Sequence, residues 1–345
     1  MGVCMENIYN MTYSKLENYF LQLENKKYRA RQLFDWLYNK RVDSFDYITN
    51  IKKEVLEKLK EDFYFDKLEI VKRESDYLVY KYLLKLRDNN TIEAVLMEHD
   101  YGSSLCISSE VGCNMACSFC ESGKIKKIRN VTSGEMVEEI LTIEKDLKKR
   151  ISHVVIMGIG EPFDNYQNIC DFIEIVNSNF GLKLGSRHIT VSTCGIVPKI
   201  YEFANFPYQV NLAISLHAPN DKLRSSLMPI NKVYPLKELM KAIVYYIEKT
   251  NRRVTFEYIM LKEINDTKKL AIELANLVKN MNCYINLIPY NETNTLEYKR
   301  SSKETILKFY DILKKNKINV TIRKEFGNNI NAACGQLKTI KENLA

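Results

Sequence analysis

From Ser104 onward, short strand-like runs alternate with longer stretches of helical spacing, and this alternation limits the available folds more than any other feature of the chain. The strand-like runs fall at 105–109, 153–157, 188–192, 209–216, 253–260, 284–289 and 319–323. Between them, 235–249, 267–280 and 302–315 keep helical periodicity. Thr132 and Glu135 form a capping box ahead of an apolar stripe of Met136, Ile140, Ile143 and Leu147. Strands separated by helices pair in parallel through right-handed crossovers. The number of units predicts an α/β chain built as a partial (β/α)6 barrel, curved but not closed. In such barrels the ligand-binding groups sit at the C-terminal ends of the strands.

Upstream the periods differ. Residues 13–65 read as short helices, with Leu33, Phe34, Trp36 and Leu37 at helical spacing and Lys26, Lys27, Arg29, Arg31, Lys40 and Arg41 among them. Two readings stay open for these cations: a solvated face around a small core, or a helical appendage that meets nucleic-acid phosphates. On the second reading, residues 1–90 could be removed without disturbing the barrel. Runs at 67–75, 77–87 and 91–98, with Asn89-Asn90 as a turn, read as a small antiparallel sheet. The layout is thus an N-terminal helical accessory segment (1–65), a small β extension (66–99) and the barrel (100–345).

Composition excludes several classes. No apolar run approaches the length of a membrane span, roughly 20 residues. The opening MGVCMENIYN lacks the basic-then-apolar order of a secretory signal. Nine cysteines in such a chain point to a reducing, cytoplasmic setting and to cysteine chemistry rather than a disulfide scaffold. The net charge of +8 leans toward a polyanionic partner.

The cysteines are not scattered evenly. Cys113, Cys117 and Cys120 stand at C-x-x-x-C-x-x-C spacing in CNMACSFC, just after the first barrel strand. A closed zinc site wants four ligands, and the next cysteine downstream is Cys170. Three thiolates can hold an iron–sulfur cubane and leave one iron open. A zinc knuckle or three unrelated thiols are the alternatives. Other polar loops end later strands: MGIGEP with Gly160 and Glu161, Ser192 to Gly195, Ser215 to Asn220 with His217, and Pro289-Tyr290-Asn291. Small residues in MGIGEP would let backbone approach a ligand, and its carboxylate could accept from an ammonium group. Taken singly, each of these loops is ordinary turn or capping chemistry. Cys106 and Cys334 lie outside the cluster, at the two ends of the barrel sequence.

The cysteine spacing resembles that of the radical S-adenosylmethionine (SAM) enzymes. LCISSEVGC, MGIGEP, SLHAPND, INLIPYN and AACGQL, in that order, are similar to the RlmN/Cfr family, radical SAM methyltransferases of adenosine in RNA. The similarity runs from about residue 28 to residue 337. It implies a radical SAM barrel in which Cys113, Cys117 and Cys120 hold a [4Fe-4S] cluster. It implies a SAM site made by Gly160, Glu161, Ser192, Ser215, Leu216, His217 and Asn291. Cys334 would carry a methyl group, Cys106 would resolve the intermediate through a disulfide, and Glu93 would be the general base. C2 and C8 of adenine are not nucleophiles, so the family's implied route uses two SAM molecules per turnover: one methylates Cys334, and the other, cleaved at the cluster, makes a radical of that methyl group.

The expected function is methylation of C2 of an adenosine in 23S rRNA, and also of tRNA, in a cytoplasmic monomer served by an electron donor such as flavodoxin or ferredoxin. The alternatives are C8 methylation of the same rRNA adenosine, giving antibiotic resistance, and a non-catalytic RNA-binding metalloprotein. A pure binding protein needs neither Cys106 nor Cys334. Departures from the family pattern are Glu121-Ser122-Gly123, where smaller or hydroxyl residues are usual, and Cys194, where serine is common. The extra carboxylate at Glu121 would be unhelpful beside RNA.

Overall fold

The computed structural model describes residues 5–24, 26–293, 295–323, 330 and 335–337. At the N-terminus β1 (Glu6–Asn7) lies parallel to β2 (Phe63–Tyr64). Between them run α1 (Tyr13–Glu24), α2 (Tyr28–Phe34), which continues into a π turn at Asp35–Asn39, and α3 (Lys53–Asp62). Then β3 (Glu69–Asp76), β4 (Val79–Lys85), β5 (Thr91–His99) and β6 (Gly102–Ile107) form an antiparallel meander. The β3–β4 register shifts between Ile70 and Lys72. A small antiparallel pair, β7 (Glu110–Val111) and β8 (Arg129–Asn130), brackets the three cysteines.

The predicted alternation follows: α4 (Ser133–Leu147), β9 (His153–Ile156), α5 (Tyr166–Asn177), β10 (Ile189–Thr193), α6 (Val197–Phe203) and β11 (Asn211–Ser215). The chain continues with α7 (Asp221–Leu227), α8 (Leu236–Thr250), β12 (Val254–Met260), α9 (Lys268–Leu277), β13 (Cys283–Pro289), α10 (Lys303–Lys315) and β14 (Val320–Ile322). Strands β6 and β9 to β14 are all parallel neighbours, joined by helical crossovers. The sheet stays open, as expected of a partial barrel.

Local signals were obeyed where they were strong. Thr132 Oγ1 accepts from Glu135 N (3.2 Å) and Glu135 Oε2 accepts from Thr132 N (2.8 Å), the expected capping box. Ser302 caps α10 by accepting from Thr305 N (3.1 Å). The antiparallel strands, by contrast, are not a separate sheet. They continue the barrel sheet in the order β14-β13-β12-β11-β10-β9-β6-β5-β4-β3. The free edge of β6 carries backbone donors and acceptors that need partners, and β5 supplies them.

The N-terminal helices share the barrel's core: Phe20, Leu33 and Phe34 belong to the same buried cluster as Leu105, Val154 and Phe172. Their cations help to make that junction. Arg29 is buried and donates to Gln32 Oε1 (2.8 Å) and Asn50 O (3.0 Å). Arg31 stacks over the Phe180 ring, and Arg41 pairs with Glu144 of α4. Cutting at residue 90 would strip two strands from the sheet and open this core, so 1–90 is not a removable appendage.

At the same junction Glu138 is buried, and its Oε2 has no hydrogen-bond partner among the described residues. Burial first, then the nearby Asp66 and Glu135 carboxylates, pushes its pKa from 4.5 up to about 9. The folded state therefore holds a proton that the unfolded state releases above 4.5. Stability from this group is full at acid pH and declines as pH rises towards 9, by up to about 1.4 kcal/mol per pH unit. Glu138→Gln should remove that share of the decline. Thermal midpoints of both proteins from pH 5 to pH 9 check this; parallel curves would reject Glu138 as the titrating group.

Candidate functional site

Pairing of β7 with β8 closes the base of the cysteine loop, and Cys113 N donates to Ile125 O (2.8 Å) just inside it. Cys120 N donates to Cys117 O (3.2 Å), and Ser118 N ties the loop to Leu227 O (3.0 Å). Gly123 allows the return of the chain: a Cβ there would stand 2.8 Å from Cys117 O. All three thiols line one cavity. Among the described residues, no three His, Cys, Asp or Glu side chains converge on a single-ion site. Three thiols on one cavity match the donor set of a cubane that leaves one iron open. Burial pushes the Cys113 thiol up to about 12 and Cys117 well above its ordinary value. A metal must therefore displace both protons when it binds.

The same cavity is lined by Gly160, Glu161, Ser192, Ser215 and His217, brought together from the ends of β9, β10 and β11. Glu161 is buried; its carboxylate accepts from Phe163 N (3.0 Å) and Cys194 N (2.7 Å). Among the described residues no cationic side chain pairs with it. Burial raises its pKa, against the pull of those N–H groups. A buried carboxylate with only neutral donors suits an external ammonium, which is what SAM presents. The structure adds a second reason for glycine in this loop. Gly160 has φ +107°, and a Cβ there would lie 2.6 Å from Glu110 carbons, so protein packing alone already requires glycine at this point of the cavity lining.

His217 sits in the left-handed region, φ +59°, the kind of local strain found at functional sites. Its Nδ1 accepts from Ile259 N (3.1 Å), leaving the proton on Nε2. Burial, and secondarily Arg224, lowers its pKa to about 3. It is thus a fixed neutral donor. Leu216 and Asn291 do not line the cavity. The Leu216 side chain is in the main core, and Asn291 follows the end of β13, half-buried. Gly335 does line the cavity, and its carbonyl accepts from Glu121 N (2.9 Å). Cys334 lies outside the described residues.

Glu93 and Cys106 lie on the concave face of the sheet. Cys106 faces Val95 across β5–β6 and Val155 across β6–β9, and Glu93 is two residues from Val95. Cys106 packs with Val95, Ile159 and Leu337, against Met157, which also lines the cluster cavity. Lys81 Nζ lies 2.8 Å from Glu93 Oε1, both side chains nearly inaccessible. The sequence reading missed Lys81; a lysine in register with the inward Val95 was the only signal.

Arg224 was also missed, because a charge on a short helix reads as solvated. It is fully buried and donates to Cys194 O (2.6 Å), Ser215 O (3.1 Å) and Leu216 O (3.2 Å), pinning the ends of β10 and β11. Lys127 pairs with Glu110 Oε1 (2.5 Å) and Asp164 (2.7 Å), and Glu110 Oε2 accepts from Glu161 N (2.9 Å). The basic run after the cysteines is thus largely engaged in holding the site. Glu121 is buried, paired with Thr295 Oγ1, and presents no open carboxylate to RNA.

Comparison with known proteins agrees with this geometry. Residues 107–275 match the Radical SAM superfamily, and residues 6–64 match the ribosomal RNA large subunit methyltransferase N-terminal domain. A protein of Listeria welshimeri named "Probable dual-specificity RNA methyltransferase RlmN" is 52% identical over 342 residues, covering 96% of this chain and 93% of its own. Its namesake in Enterococcus faecalis is 52% identical, covering 97% and 96%. The crystal structure of a radical SAM methyltransferase from Sphaerobacter thermophilus superposes with a TM-score of 0.90 at 39% identity, covering 97% of this chain and 99% of that one. With three clustered thiols, a buried carboxylate beside them and relatives alike over nearly their whole length, the chain belongs to the RlmN/Cfr family of radical SAM RNA methyltransferases.

Proposed function

We propose that the protein methylates C2 of an adenosine in 23S rRNA, and of a tRNA adenosine, through a methyl carried on Cys334. The observation that supports this most is the common concave face. Glu93, Lys81 and Cys106 share it, and Met157 joins the Cys106 cluster to the cavity lined by the three thiols and Glu161. Bound at Cys113, Cys117 and Cys120, with an electron from a flavodoxin- or ferredoxin-type donor, the [4Fe-4S] cluster and SAM supply the hydrogen-abstracting radical. The chain's own residues do the rest. Glu161 holds the SAM ammonium, His217 donates from Nε2, and the buried walls exclude water. Glu93 takes the proton from the adenine ring carbon. The adduct returns the electron taken up from the donor, and Cys106 thiolate then attacks the Cys334 sulfur: the S–S bond forms as the S–C bond breaks, the departing carbon takes a proton to become the product methyl, and an external thiol reduces the disulfide before the next turnover.

The test is digestion and mass spectrometry of rRNA and tRNA treated with protein, SAM and reductant. 2-Methyladenosine in both is the expected product. 8-Methyladenosine would overturn the C2 assignment, and unmodified RNA would overturn the reading as a whole.

Lys81 provides a sharper probe. Removing its ammonium takes away the cation 2.8 Å from Glu93, which weights a buried carboxyl toward its protonated form. Lys81→Met should slow methylation at neutral pH by about 10²–10⁴-fold, the scale of general-base catalysis, and the rate should recover as pH rises. A Lys81→Met profile that overlays the wild-type profile removes Lys81 from this role.

A further inference from the structure

The end of the barrel remote from the cysteines carries an unusual rim. Four rings stand in a row: His99 at the end of the antiparallel β5, Tyr101 in the turn before β6, His153 at the start of β9 and His188 just before β10. His99 stacks on Tyr101 (4.6 Å), Tyr101 meets His153 edge-on (5.2 Å), and His153 stacks on His188 (4.4 Å). The register explains the row: His99 opposes Gly102, and His153, at the start of β9, opposes Ser104. Three of the chain's four histidines are spent here.

The rim then changes character. Arg187 precedes β10, and Arg252 and Arg253 precede β12. Arg187 donates to Gln209, Arg252 to Val210 O and Asn211, and Arg253 lies over Tyr284. Among the described residues none of the three is paired with a carboxylate. The acidic groups nearby are Glu98, paired with Lys149 (2.7 Å), the exposed Asp100 and the buried Glu257, which accepts from Asn286 (2.9 Å). His99, Tyr101, Arg187, Arg252 and Arg253 border a cavity of about 1230 Å³, and His153 and His188 continue the row beside it. Met157, Glu257 and Arg323 line both this cavity and the one that holds the three thiols.

We propose that this N-terminal rim is the docking track for single-stranded RNA flanking the reacting adenosine. The rings stack with flanking bases, the arginines take phosphates, and the adenine reaches the cofactor cavity through the barrel past Met157, Glu257 and Arg323. The inference rests on the reading of the chain as an RNA methyltransferase and says where its RNA lies. Aromatic platforms beside unpaired cations are the usual means of holding single strands. A barrel's N-terminal face ordinarily serves stability alone, and a row of half-open rings beside unneutralised guanidinium groups is poorly suited to that purpose.

The test measures binding of a fluorescein-labelled single-stranded oligoribonucleotide at several salt concentrations, with rRNA methylation assayed separately. Tyr101→Ala and His188→Ala should each weaken binding roughly 5- to 160-fold, the range for one lost base stack. Arg253→Gln should weaken it and flatten the salt slope by about 0.7, the value for one phosphate contact on a single strand. Arg31→Gln with Lys40→Gln, in the N-terminal segment, should leave Kd unchanged. Folded rim variants with wild-type Kd and slope overturn the proposal, while wild-type methylation leaves the enzyme reading standing. Where a variant fails to fold, 4-thiouridine crosslinking of the wild-type protein decides: crosslinks at 99–101 or 187–188 support the rim, and crosslinks confined to 26–41 overturn it.

Discussion

Given SAM, reductant and RNA, the Cys106→Ala protein accumulates covalently joined to RNA. In the proposed mechanism Cys334 acts first, as methyl acceptor, and Cys106 acts last, on the sulfur that still tethers the base. Removing the last thiol leaves every earlier step intact, so turnover stops after one adduct per chain. A shifted band trimmed by nuclease reports it. Cys334→Ala should give the opposite result, with neither methyl nor adduct. Cys106 is buried among apolar neighbours, so a purely structural thiol there would cost stability alone, about 1–3 kcal/mol, and trap no RNA. Normal turnover by a folded, iron-loaded Cys106→Ala protein would remove Cys106 from the mechanism.

Alanine at Cys113, Cys117 or Cys120 should abolish activity and the iron that supports it. Anaerobic reconstitution should give roughly four irons per wild-type chain, the content of one cubane, and close to none in each variant. The reason lies in the burial that holds Cys113 and Cys117 in the protonated form. Two thiols that must each lose a proton in an apolar cavity bind a cluster poorly when the third ligand is gone. Serine would keep the shape but offer a hard oxygen where a soft donor is needed. Stoichiometric zinc without iron in anaerobically prepared wild-type protein would falsify the cluster assignment.

Features that depend on neighbours in sequence were legible. The strand–helix alternation, the Thr132 cap and the loops ending the strands are local, and the structure places them much as read. Features that depend on distant neighbours were not. Nothing between residues 67 and 98 states that β5 will pair with β6 rather than remain in a sheet of its own. Arg224 and Lys127 read as solvated charges, because burial of a cation is decided by carbonyls and carboxylates from remote loops. At Gly160 the sequence suggests room for a ligand but not the packing against Glu110, which comes from a remote strand. Lys81 was hidden by the same ambiguity, since both faces of β4 are largely buried.

The ten-stranded sheet has two ends, and neither is inviting to another strand. At one end β14 is only three residues long. At the other, β3 is charged, with Lys72 paired to Glu74 and Arg73 to Asp146, and its register is broken between Ile70 and Lys72. Short length, charge and irregular register are how open sheets avoid templating their own aggregation. The open sheet thus carries a built-in guard against fibre-like self-association, shared between the short β14 at one edge and the antiparallel meander at the other.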